Sequence, residues 1–328
     1  MRLLLVLLLA SCAARAPEPD ARHRGLSFAA AHPRQGTYGS PQSAESLRNA
    51  RALGVDWISV MPFGFHSGTA ALRFGGERVW ESDESLLAVT KQAHQQGIKV
   101  MLKLHVWGRG ELQMEGWGEA EWRAWFDDYG RFVEHYARIA RDANADALCI
   151  GNEQKVASRH DAEWRKLIAR ARAIYKGPIT YGANFDEVLG VPFWDALDWI
   201  GVSGYFPLLP DATPSRAALV NAWQPILERL EALSRKHRRP VLFTEIGYRS
   251  AGGAAWRQWE IPRDAPANAE AQRVAYEAFF ETVWPRPWVL GAYPWKWFSY
   301  PGHGSPNDYD FEGKPAAEVI GRAYTRKR

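Results

Sequence analysis

Cysteine is nearly missing from this chain, with two in 328 residues. Two thiols exclude a disulfide-stapled scaffold and a zinc site built from four cysteines. Charge of one sign is also scarce. Lys and Arg number 41 and Asp and Glu 37, a net +4, with no run of five Lys or Arg. That excludes the concentrated positive surface of a nucleic-acid binder. No apolar run approaches the roughly 20 residues of a permanent membrane helix. No Gly-x-Gly-x-x-Gly follows the first internal apolar run, which instead enters Ala31-His32-Pro33, so a dinucleotide turn is absent there.

What is present begins at the N-terminus. Met1-Arg2 precedes Leu3 to Leu9, interrupted by one Val, and then Ala10-Ser11-Cys12. A basic start, a short apolar core and small residues make a signal peptide. Leu9-Ala10-Ser11-Cys12 resembles the bacterial lipobox, in which the cysteine becomes the lipidated first residue. The expected organisation is a leader over 1–11, a lipidated tether over 12–23 and a folded body over 24–328. Ala13, where an Asp would resemble an inner-membrane retention signal, points to the outer membrane of a Gram-negative envelope. The alternative is an ordinary leader with an incidental cysteine. Cys149 lies in an apolar run and is expected to be a small core residue.

From residue 25 one pattern repeats: a short apolar run, then a longer stretch with helical spacing. Strands are predicted at Gly25–Ala30, Asp56–Pro62, Lys99–Val106, Ala147–Asn152, Ile179–Ala183, Trp199–Gly204, Val241–Ile246 and Val289–Trp295. Helices are predicted at 43–53, 82–96, 119–143, 161–176, 191–197, 215–237, 268–284 and 314–326. Over 119–143, Trp122, Trp125, Phe126, Tyr129, Phe132, Val133, Tyr136 and Ile139 recur at spacings of three and four, one apolar stripe. Pro225 predicts a kink or break in the 215–237 helix. Gly54, Gly97 and Gly177 follow helical stretches, as C-terminal glycines do. Eight such units point to a single-domain α/β fold, a (β/α)8 TIM barrel, over a doubly wound open sheet.

Barrel active sites lie at the C-terminal ends of the strands. Those ends carry His66, His105 with Trp107, Asn152-Glu153, Asn184, Tyr205, Glu245 and Trp295-Lys296-Trp297. Glu153 and Glu245 each follow an apolar run, on the fourth and seventh strands, across the mouth from one another. Paired carboxylates over a cleft suit glycoside hydrolysis, one giving a proton to the leaving oxygen and the other attacking the anomeric carbon or activating water. The competing reading of each is a helix cap or solvated loop charge. Sixteen tryptophans also fit sugar stacking, since flat apolar rings match sugar faces. Strict alternation puts Asn152 and Glu153 on opposite faces, so both reach the site only if the strand bends or ends there. Gly151 either leaves room for a sugar or relieves packing. Lys103, His105 or Lys296 could bear on either carboxylate. No His-x-His follows the first strand and no His-Glu-x-x-His exists, so neither a metal nor another cofactor is expected.

Asn-Glu after the fourth strand with Glu ending the seventh resembles clan A of the glycoside hydrolases. Phe243-Thr-Glu-Ile-Gly-Tyr248, Pro294-Trp-Lys-Trp-Phe298 and Asp310-Phe-Glu-Gly-Lys-Pro-Ala316 are most similar to glycoside hydrolase family 113. The resemblance runs from the first strand to Pro315. It implies a retaining enzyme with Glu153 as acid/base and Glu245 as nucleophile. It also implies Asn152 on the sugar 2-hydroxyl, Tyr205 near the nucleophile, and Trp295 or Trp297 flooring the reacting subsite. His66, His105, Asn184 and Lys296 are further candidates for substrate contact. The implied substrate is β-1,4-mannan or a related oligosaccharide. Two alternatives stay open: another β-linked glycan, or a barrel that binds glycan without cleaving it. The expected partners are that glycan and, through Cys12, a membrane. A monomer is the expected state.

Overall fold

The computed structural model describes residues 22–31, 38–66, 71–75, 81–108 and 114–326. The expected leader, Cys12 and nearly all of the tether lie outside them. In chain order the strands are β1 (His23–Ala29), β2 (Trp57–Val60), β3 (Phe63–His66), β4 (Lys99–Lys103), β5 (His105–Gly108), β6 (Ala147–Asn152), β7 (Ile179–Asn184), β8 (Ile200–Ser203), β9 (Val241–Ile246), β10 (Val289–Pro294) and β11 (Trp297–Phe298). The α-helices are α1 (Pro41–Ala52), α2 (Asp83–Gln95), α3 (Glu119–Asp142), α4 (Asp161–Ile174), α5 (Arg216–His237), α6 (Ala269–Thr282) and α7 (Pro315–Thr325).

Strands β1, β2, β4, β6, β7, β8, β9 and β10 pair in that order, all parallel, and β10 returns to β1. This is a closed (β/α)8 barrel. The stripe on α3 is its buried face: Trp125, Phe126, Tyr129, Phe132, Val133 and Tyr136 all lie in the core. Helix starts follow the expected chemistry, the side chains of Ser40, Ser82, Ser215 and Asn268 each accepting a backbone amide of the first turn. The barrel is filled at its base by Trp57, Met101, Cys149, Leu242, Leu290 and Tyr293. His23 stacks on Trp57 at 3.8 Å. Burial, with the nearby Lys99 charge, lowers its imidazole to about 3, so this plug is neutral.

Four expectations need correction. The helix predicted over 191–197 is a three-residue 3-10 turn at Trp194–Ala196. Its apolar residues bury a loop instead: Trp194 and Leu197 are fully covered, and the Trp194 indole donates to the Val188 carbonyl at 3.0 Å. Pro225 does not break α5, because Leu219, Trp223, Ile226, Leu227, Leu230 and Leu233 bury one continuous face that carries the helix through. Gly54 and Gly97 adopt left-handed backbone, but Gly177 does not. There the missing side chain makes room for the Tyr175 ring. The strand predicted as Lys99–Val106 stops at Lys103. Beyond it β5 leaves the barrel and pairs in parallel with β3, Phe63 opposite His105 and Phe65 opposite Trp107. This ribbon stands on the mouth as a wall.

Candidate active site

The two glutamates reach the mouth by the same local device. Along β9, Leu242 faces the barrel interior, so alternation would send Glu245 outward. The register with β8 slips between Val202 opposite Phe243 and Ser203 opposite Glu245, one extra residue on β9. That bulge turns Glu245 inward. On β6 the register with β7 slips between Cys149 and Asn152. The strand then ends, and Glu153 takes a left-handed backbone at φ 55°, its amide donating to the Gly182 carbonyl at 2.8 Å. Adjacent residues therefore serve one site. Ser203 donates to Asn152 Oδ1 at 3.3 Å and also hydrogen-bonds Glu153. Gly182 lies beneath them, where a Cβ would stand 2.8 Å from Asn152 Oδ1 and 3.0 Å from Thr244 Oγ1. Gly151, in contrast, faces outward, and a Cβ there would collide with Tyr129 and Trp164. It relieves packing and leaves no room for a sugar.

Glu245 is buried and held as a carboxylate. The Lys103 ammonium, itself without solvent exposure, contacts Oε1. The Tyr205 hydroxyl donates to Oε2 at 2.6 Å. His105 Nε2 stands 3.6 Å from Oε1. Burial alone would raise this carboxyl, but the Lys103 charge and the hydrogen bonds from Lys103 and Tyr205 outweigh it, and its pKa falls below the usual value. His105 is pushed down to about 3 by burial and by Lys103, against the pull of Glu245, so its ring is neutral at the working pH.

Glu153 is shifted the other way. It keeps a face open to the cleft, while the surrounding walls strip enough water to raise its carboxyl to about 7. Desolvation is the largest cause and the Glu245 charge the second; Lys103 and the Ser203 hydroxyl oppose them. One mouth thus holds an ionised carboxylate and a carboxyl that is substantially protonated near neutrality, the division of roles that acid/base chemistry needs.

The remaining candidates divide. Trp295 is half-buried at the mouth, its ring parallel to His105, the neighbour of Glu245, at 6.4 Å. Trp297 lies in the core, its indole donating to Ser46 at 2.8 Å and its ring against Phe311. Lys296 pairs with Asp308 at 2.9 Å rather than with either glutamate. Asn184 turns its side-chain oxygen onto the Phe185 amide at 2.9 Å, shaping the loop after β7. His66 is buried in the β3–β5 ribbon against Gly108, where a Cβ would meet its ring. Ser203 and Tyr309 escaped the sequence reading. Tyr309 packs edge-on to Tyr205 at 6.1 Å and carries no signal beyond lying next to the Asp310–Ala316 segment. Cys149 is a buried core residue whose thiol burial pushes up to about 11.

Fold and carboxylate pair together define the class: a barrel enzyme of the glycoside hydrolase kind. The model of Glycoside Hydrolase Family 113 matches residues 26–314, and the chain belongs to that family. Among solved structures it is similar to the family 113 β-mannanase AaManA from Alicyclobacillus acidocaldarius, held in complex with ManMIm. Identity is 30%, TM-score 0.81, and the match covers 93% of this chain and 97% of that one. A second family 113 β-1,4-mannanase, solved as a complex, matches at 29% identity and TM-score 0.81, over 93% and 99% of the two chains. A β-glucuronidase from Ruminococcus gnavus matches at 11% identity and TM-score 0.64, covering 92% of this chain and 50% of that one, a likeness of fold alone. No curated protein matches.

Proposed function

We propose that this glycoside hydrolase cleaves β-1,4-mannan or manno-oligosaccharides with retention, Glu245 acting as nucleophile and Glu153 as acid/base. The observation that carries the reading is the opposite perturbation of the two carboxyls at one mouth. Glu153 gives its proton to the glycosidic oxygen as a Glu245 oxygen bonds to the anomeric carbon and the C–O bond breaks. Ester formation removes the Glu245 charge, and with it one of the influences that held the Glu153 proton. Glu153, now a carboxylate, takes a proton from water, which attacks the anomeric carbon and releases Glu245. Lys103 and Tyr205 hold the nucleophile and receive it again as leaving group. Ser203 occupies the Asn152 carbonyl oxygen, which leaves the Asn152 amide nitrogen free to donate to the sugar 2-hydroxyl. Mannan as substrate rests on the family 113 mannanases to which the chain is similar.

The test is product release from β-mannan, glucomannan, xylan, cellulose and chitosan by the wild type and by Glu245→Ala, with the first-formed anomer followed by NMR. Reducing ends from mannan with β-configuration, absent in the variant, support the reading. Release from another polymer alone refutes the substrate, and α-product refutes retention. Silence on every polymer from a folded protein favours a barrel that only binds glycan. We also propose export and lipid attachment at Cys12, on the Leu9-Ala10-Ser11-Cys12 motif. Radiolabelled fatty acid should enter the wild-type protein and not Cys12→Ser; label in both refutes attachment there.

A further inference from the structure

All eight barrel strands are parallel, so the strands start and the helices finish at one end, the base, opposite the catalytic mouth. The first described residue, Arg22, stands there at the head of β1. Its guanidinium donates to the Trp284 and Arg286 carbonyls beyond α6 and lies 5.6 Å from the Trp284 ring. The point at which the chain enters the barrel is thus fixed to the base. Arg22 follows Cys12 by ten positions, and a chain of that length reaches at most about 33–36 Å. A lipid on Cys12 keeps the base within that distance of a bilayer.

The net charge of +4 conceals how the fold sorts its charges. The acids of the base already have partners. Asp56 has Arg24, Asp142 has Arg141, Asp146 has His94, Asp195 has Arg165, Asp198 has Arg172 and, in the last turn of α6, Glu281 has Arg216. Six further cations at this end, Arg51, Lys99, Lys176, Lys236, Arg238 and Arg326, are exposed, and none forms an ion pair among the described residues. A basic residue in the last turn of a helix answers the helix dipole. That accounts for one or two per helix, not for the Arg235-Lys-His-Arg-Arg239 run that ends α5. Within it Arg238 holds left-handed backbone at φ 52°, where glycine is the ordinary residue.

Aromatic rings share this end. The Ile200 amide donates to the Pro240 carbonyl at 3.0 Å, and the Val241 amide to the Trp288 carbonyl at 2.8 Å. These bonds draw half-buried Trp199 and Trp288 in around the Arg239-Pro240 corner. At the same end a groove of about 1480 Å³ opens between the ends of α6 and α7, lined by Phe280, Trp284 and Tyr324 together with Arg24, Arg322 and Arg326. Half-buried tryptophans among exposed cations suit a surface that meets anionic lipid headgroups. We infer that the base of the barrel docks on an anionic phospholipid surface and holds the mouth outward, toward polymer in solution. An attached lipid and a basic surface are together the two signals that stable anchoring takes. The direction of approach rests on the lipid attachment proposed above, and the use of an outward mouth rests on the glycosidase reading; the charged surface rests on neither.

The test takes the unlipidated chain from Ala13, which holds every described strand and helix of the barrel, so no attached lipid contributes. It is sedimented with vesicles of phosphatidylglycerol and phosphatidylethanolamine, and with vesicles of phosphatidylcholine alone. The expected result is binding to the first and not to the second, lost at high salt, which screens exposed charges. A basic residue near an anionic bilayer is worth about fivefold in partition, so Lys236→Gln, Arg238→Gly and Arg326→Gln together should weaken binding by about 100-fold. Arg238→Gly alone suits the left-handed corner, so it should lower binding while the barrel stays folded. Arg123→Gln, at an exposed cation near the start of α3 and so at the mouth end, should leave binding unchanged. No sedimentation with the anionic vesicles at low salt, equal sedimentation with the neutral ones, or an equal loss in Arg123→Gln overturns the docking. So does retention by double-stranded DNA with no response to vesicles. Docked wild type should still degrade soluble polymer, and loss on docking of an activity that the free enzyme has overturns the outward mouth. A chain inert on every polymer refutes the glycosidase reading, and the sedimentation result then decides the docking by itself.

Discussion

Lys103→Met is the perturbation that most sharply separates the roles of the two carboxyls. The Lys103 ammonium is buried against Glu245 and is the largest influence holding that carboxyl down. An opposite charge at such range is worth about 1–3 pKa units. Removing it leaves burial as the dominant cause, and burial raises the carboxyl. The acid limb of kcat/KM, which follows ionisation of the nucleophile in the free enzyme, should therefore move up by about 1–3 pH units. The alkaline limb should also rise, since Lys103 lowers Glu153 in the wild type. Stability gives a second readout. In the wild type the depressed Glu245 contributes stability that is present above its unfolded value of 4.5 and is lost as pH falls through the folded value. In the variant the folded carboxyl binds its proton more tightly than the unfolded one, so stability falls as pH rises. Breaking a buried pair costs about 3–5 kcal/mol when the survivor stays charged, and protonation of Glu245 relieves much of that at low pH. The melting temperature should thus drop more at pH 8 than at pH 5. The assay is a pH series of initial rates on an aryl mannobioside, with thermal melts in the same buffers. An acid limb that stays in place in a folded variant refutes the reasoning.

Three further outcomes follow. Tyr205→Phe removes the 2.6 Å bond to Glu245 Oε2 and should lower kcat by about 10- to 100-fold, the scale of a charged hydrogen bond, while raising the acid limb; steady-state kinetics across pH check both. Glu153→Gln removes a carboxyl raised from 4.5 to about 7. The native state binds more protons than the unfolded one across that window, so the wild type loses stability as pH rises through it. The variant should be more stable at pH 8 by about 1 kcal/mol, discounted because the side chain keeps a solvent-exposed face, and no more stable at pH 4; chemical denaturation at both pH values measures it. Trp297→Ala should cost about 3–5 kcal/mol of stability, because the indole is buried and bonded to Ser46. Its effect on hydrolysis of an aryl mannoside should be small beside that of Trp295→Ala, compared by melts and kinetics on the same preparations.

The barrel was legible because its strands are short apolar runs bounded by turn residues. Ala147–Asn152 and Val241–Ile246 coincide with β6 and β9. The 191–197 segment deceived because a loop packed on a barrel buries the same residue types as a helix. The conflict between alternation and an inward Asn152-Glu153 was visible in the sequence. Its resolution was not, since a bulge is a property of the register between two strands and Thr244 or Gly151 carries no local sign of one. Lys103 stood in the sequence as one of three candidates to bear on either carboxylate; that it takes Glu245 was hidden, because the contact joins β4 to β9 across the barrel interior. Trp297 was ambiguous for a simpler reason. Two tryptophans flank Lys296, and only the return of β11 to β1 turns one into the core and leaves the other at the mouth.

The most direct test of the central claim is trapping with a 2-deoxy-2-fluoro-β-mannosyl fluoride, followed by peptide mass analysis. The account predicts one covalent sugar, on the peptide carrying Glu245 and on that carboxylate. A stable adduct on any other residue, or turnover to α-product with no adduct formed, would contradict it.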